Sequence, residues 1–127
     1  MAEFIYKDYS TELKFGNYVF ELPLNEQTAE LMDKVLYQRM VELKPKNVEE
    51  INEGYNSLLD GIDEIFGEGA ADKMLERYKH PGLLEVTAVI EFIIKEYRDK
   101  YTKAVEDMKK TAPEVKDANR AERRARR

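Results

Sequence analysis

A single histidine and no cysteine leave carboxylates, hydroxyls and amines as the side chains that could do chemistry in this 127-residue chain. Thiolate zinc sites, cysteine nucleophiles and disulfides are excluded together, which suits a reducing compartment. A serine–histidine–aspartate triad or a multi-histidine metal site needs several correctly placed groups. His80 instead stands alone between Lys79 and Pro81-Gly82, the composition of an exposed turn.

Carboxylates are the remaining possibility. Glu49-Glu50-x-x-Glu53 and Glu96-x-x-Asp99 each put two acids on one helical face. Four-helix nucleotide pyrophosphatases hold Mg²⁺ between such pairs, because a hard cation wants several carboxylate oxygens around phosphates. Here a further helix separates the two sets, and no basic-aromatic cluster is placed to read a base. The plainer reading is a solvated acidic face, which also takes in Asp60, Asp63 and Glu64. A magnesium-dependent all-α nucleotide pyrophosphatase therefore stands as an alternative; the leading expectation is no catalytic residue, no metal and no cofactor. Gly67-Glu68-Gly69 is a lone Gly-x-Gly with neither a preceding strand nor the lysine of a phosphate loop, and reads as a joint between helices.

Charge is unevenly placed. The last nine residues carry five arginines (Arg120, Arg123, Arg124, Arg126, Arg127) and one glutamate, a balance of +4 that leaves −9 for residues 1–118 against the net −5. A basic tail could grip nucleic acid through counterion release, but the acidic body would repel the same polyanion. A nucleic-acid-binding accessory role is thus a second alternative. The segment 1–10 holds Glu3, Lys7 and Asp8, and the most apolar stretch, 86–94, is interrupted by Glu91. Neither a signal peptide nor a membrane helix fits these patterns, so a soluble cytoplasmic domain is expected.

The elements that must position any site follow from periodicity. Leu13 and Phe15 alternate with Glu12 and Lys14, and Gly16-Asn17 then separates two runs rich in aromatic and β-branched residues. This predicts a hairpin over 11–22 with a primed turn, and residues 3–9 are expected to add a third strand. Helices are predicted at 26–43, 48–66, 70–78 and 83–110, capped by Asn25 and Asn47 and stopped by Pro45, Gly67, Pro81 and Pro113. The resulting fold is mainly α: a four-helix domain over 1–112 with an N-terminal hairpin, followed by a flexible basic tail over 113–127.

Val48, Ile51, Tyr55, Leu58, Ile62 and Ile65 form a heptad-like seam, with Gly54 and Gly61 each just ahead of a seam residue. Paired interior glycines mean either close approach of a neighbouring backbone or two tolerated weak spots. The last helix, roughly 40 Å long at 1.5 Å per residue, exceeds the width of so small a domain. Its distal half should therefore project, presenting Tyr97, Tyr101, Val105 and Met108 to a partner or to another copy. The eight tyrosines and five methionines fit a binding surface as well as a core edge.

The Leu-Lys-Phe-Gly-x-x-x-Phe hairpin at 13–20, the acidic helical body and the closing Asn-Arg-Ala-Glu-Arg-Arg together resemble the small tail-assembly chaperones encoded by long-tailed phages and prophages of Firmicutes. That resemblance implies a non-enzymatic protein of the host-cell cytoplasm. It would bind the aggregation-prone tape-measure protein and help recruit tail-tube subunits, with a longer frameshifted product often made beside it. It carries over no catalytic residue and no binding position. Repeated copies along a long target make a homo-oligomer an accompanying expectation, with no membrane partner.

Overall fold

Gly16 takes φ +63°, a backbone conformation that side-chain-bearing residues rarely adopt, and so folds β1 (Ser10–Phe15) back onto β2 (Tyr18–Pro23). Only the first central position has positive φ, the pattern of a type II′ turn. The computed structural model describes residues 1–111; the expected basic tail, with its five arginines, lies outside them. The described chain is mainly helical, four helices following the hairpin.

The strands pair antiparallel with Thr11 opposite Leu22, Leu13 opposite Phe20 and Phe15 opposite Tyr18. These residues form the inner face, while Glu12, Lys14, Val19 and Glu21 point to water. Phe15 packs edge-on to Phe92 at 5.5 Å and Phe20 to Phe66 at 5.6 Å, so aromatic contacts tie the hairpin to the second and fourth helices. The third strand expected over residues 3–9 does not form. One bond, from the Leu24 N–H to the Tyr9 carbonyl at 2.8 Å, extends the ladder by a step. Before it the arm runs exposed, with Phe4 packed edge-on against Tyr6 instead of on the core.

Asn25 caps helix α1, its side-chain oxygen accepting the Thr28 N–H at 2.8 Å. The helix runs through Glu26–Leu31, Met32–Tyr37 and Gln38–Val41 in succession, and the middle segment is π-helical. There the Gln38 N–H reaches back five residues to the Asp33 carbonyl. The buried stripe of this helix is Thr28, Met32, Val35 and Leu36, and Leu31 is exposed.

Two bonds hold the start of helix α2 (Val48–Phe66): Asn47 accepts the Glu50 N–H at 2.8 Å, and the Glu50 carboxylate accepts the Lys46 N–H, one residue before the cap, at 2.6 Å. Only part of the expected seam is core. Leu58 and Ile62 are fully buried, but Val48 and Ile51 are exposed near the loop from α1. Helix α3 (Ala70–Leu75) stops short of residue 78 because the Glu76 and Tyr78 N–H groups bond three residues back, tightening the chain out of the α-helix. Helix α4 (Leu83–Thr111) is 29 residues long. Leu36, Leu58, Ile62, Val86, Ile90 and Ile93 form the fully buried centre where α1, α2 and α4 meet.

The matched glycines prove unequal. A β-carbon on Gly61 would stand 3.0 Å from the Val35 carbonyl oxygen, so α1 and α2 approach at main-chain distance there. A β-carbon on Gly54 would meet only the tip of the Leu43 side chain.

Candidate functional site

The π segment of α1 and the middle of α4 diverge enough to leave an open groove of about 290 Å³. Met32 and Tyr37 form one wall, Ile94 and Tyr101 the other, and the lining is mostly apolar. Two charges mark its rim. Asp33 lies on the α1 side, and the Arg98 guanidinium on α4 sits 5.3 Å above the Tyr37 ring, a cation–π contact across the groove. Periodicity missed this feature because a helix's own period does not say how closely a second helix covers its face. The signal available was Tyr37, an aromatic residue off the apolar stripe.

The four residues expected to form a partner surface part ways. Tyr97 is only 3% exposed, which removes it from that surface. Its hydroxyl donates to the Pro23 carbonyl at 2.8 Å and lies 3.3 Å from the Asn25 N–H, which donates to it. The phenol thus bolts the end of the hairpin to the start of α1, and burial raises its pKa above the ordinary value. Tyr101 is half-buried at the groove wall. Val105 and Met108, 40% and 54% exposed, carry the apolar face onward beyond the packed part of α4. The root of the N-terminal arm, with Tyr9, borders a hollow beside Ala104 and Met108.

The carboxylates behave differently from a metal cradle. Among the described residues no three histidines, aspartates or glutamates come together in a way that could hold an ion. Asp63 accepts the Ala71 N–H at 2.9 Å and so anchors α3, while Glu64 pairs with Arg39 at 3.3 Å. These two acids, expected on a solvated face, have structural partners. His80 is exposed in the bend after α3. A second hollow beside the hairpin turn brings Lys73 within 5.7 Å of the Tyr18 ring, and a hydrogen bond to Glu76 together with its charge raises the Tyr18 pKa. Among the described residues, no helix is long and apolar enough to cross a membrane.

Fold and groove together define a small helical domain with an open apolar cleft between its first and last helices. The chain belongs to a family of unknown function, DUF6673, whose model matches residues 20–127. That match takes in the last four residues of β2 and all four helices, and leaves the arm, β1, the turn and the start of β2 outside it. No curated protein and no solved structure matches the chain.

Proposed function

We propose that this protein is a non-enzymatic tail-assembly chaperone of a long-tailed phage or prophage, acting in the host cytoplasm. It would hold the tape-measure protein in a dispersed state and help bring tail-tube subunits to it. The observation that carries this reading is the groove between α1 and α4. It is apolar, open, and flanked by opposite charges at Asp33 and Arg98, the features of a surface that receives one face of an amphipathic helix. An uncovered tape-measure chain is long, helical and apolar-faced, and an acidic body would keep the loaded complex dispersed by mutual repulsion.

The test is co-expression with a helical fragment of the tape-measure protein encoded nearby, followed by affinity capture. Tyr37 and Thr102 border the groove and are exposed, so Tyr37→Asp with Thr102→Asp should abolish co-purification while leaving the circular dichroism spectrum unchanged. Undiminished capture by that variant would exclude the groove as the binding site. Failure of the wild type to capture any tape-measure fragment would remove the chaperone reading.

A further inference from the structure

We infer that the hollow beside the hairpin turn binds a small ligand joining one phosphate to a planar ring, the chemistry of a nucleoside monophosphate. The hollow measures about 350 Å³ and lies between the turn at Gly16, the end of α3, and α4 at Ala88 and Phe92. Lys14, Lys73 and Arg77 line it against a single acid, Glu76, in a body that carries −9 over residues 1–118. No stretch of the sequence shows a basic-aromatic cluster. The fold assembles one here from segments about sixty residues apart.

Arg77 is the anchor. A β-carbon on Gly16 would stand 2.6 Å from the Arg77 Nε, so the guanidinium lies across the turn in space that a side chain would fill. Among the described residues it makes no ion pair and no hydrogen bond. The neighbouring acid, Glu76, is engaged by the Tyr18 hydroxyl. A planar fork of donors suits a phosphate, and Lys73, 5.7 Å from the centre of the Tyr18 ring, adds a second charge. Tyr78 and Phe92, each 42% exposed, border the same hollow and offer faces on which a flat ring stacks. Charge selects the size of the occupant. A nucleic-acid strand would carry its further phosphates out over the acidic body, whereas a single phosphate meets only the cations. The volume, at the low end for small-ligand pockets, fits one ring and one phosphate. None of the residues named here lines the α1–α4 groove, so the inference stands apart from what that groove binds.

The experiment is an NMR titration of the full chain with adenosine, guanosine, cytidine and uridine monophosphates. At least one should give saturable shifts at the Gly16 and Arg77 amides, with a dissociation constant of about 0.1–1 mM for so open a site. Inorganic phosphate and the free nucleosides should each bind at least about tenfold more weakly, since each makes only half of the contacts. Arg77→Gln should weaken nucleotide binding about tenfold and Tyr78→Ala about fivefold, both with an unchanged circular dichroism spectrum. Absence of saturable shifts with all four nucleotides overturns the proposal. So does binding undiminished by Arg77→Gln, which would place the phosphate on the arginines of the tail. Tighter binding of a single-stranded oligonucleotide or a glutamate-rich peptide than of any mononucleotide also overturns it. Capture of the tape-measure fragment should be the same for Arg77→Gln and wild type, so failure of this site and failure of the chaperone reading are distinguishable.

Discussion

The Val35 carbonyl oxygen lies 3.0 Å from where a β-carbon on Gly61 would be, with the Val35 Cγ1 at 3.1 Å and the Leu36 Cδ2 at 3.3 Å. Helices α1 and α2 touch through main chain at this point, and the point falls inside the π segment. A residue without a side chain stands opposite that carbonyl, and any β-carbon there would crowd it.

Gly61→Ala and Gly54→Ala should therefore diverge. Either substitution gains about 1 kcal/mol of helix propensity. At Gly61 the new methyl meets backbone and buried side chains, and overpacking costs roughly 1–3 kcal/mol, so the net effect is destabilising. At Gly54 it displaces only the end of the half-buried Leu43 side chain, and stability should be unchanged or rise by up to ~1 kcal/mol. Urea denaturation of the two variants measures the contrast, and equal destabilisation of both would refute the close approach as its cause.

Tyr97→Phe should lower stability by about 1 kcal/mol, because the Pro23 carbonyl and the Asn25 N–H lose their shared partner in a partly buried place. The same hydroxyl carries a pH dependence. Burial raises its folded-state pKa, so the folded protein favours the neutral phenol. That contribution is fully present below the unfolded value near 10 and is lost as pH rises through the higher folded value. The stability gap between wild type and Tyr97→Phe should thus narrow above pH 10, which thermal melts across pH 8–11 would show.

Asn47→Ala removes the side-chain oxygen that accepts the Glu50 N–H at the start of α2. A loss of about 1 kcal/mol is expected, largely recovered in Asn47→Asp, whose carboxylate also meets the positive end of the helix dipole. A melting temperature indifferent to Asn47→Ala would show that α2 holds its first turn by other means. Val48 and Ile51, exposed there, supply little core packing to do so.

Deleting residues 1–8 should leave the melting temperature within about 2 °C of the wild type, since the arm is exposed and its anchor, the Tyr9 carbonyl, is retained. A large drop in differential scanning calorimetry would mean that Phe4 and Tyr6 are covered in solution.

Short-range chemistry made much of this architecture readable. The hairpin at Gly16-Asn17, the caps at Asn25 and Asn47 and the start and stop of α2 depend on residues a few positions apart, and the helices at 48–66 and 83–111 lie within a residue of where their patterns place them. The same patterns overestimated the hydrophobic seam of α2 and the strand at residues 3–9, because period and composition say that a face is apolar without saying what covers it.

What the sequence by itself determined is the order of elements, the mainly helical class and the acidic body. Tertiary structure alone decided that Tyr97 is a bolt inside the monomer, that Gly61 faces a carbonyl and Gly54 only a side chain, and that a groove lies open between α1 and α4. Each of these depends on residues distant in the chain meeting at a particular angle. A helix written as a one-dimensional period holds its own face, but the gap between two helices belongs to neither.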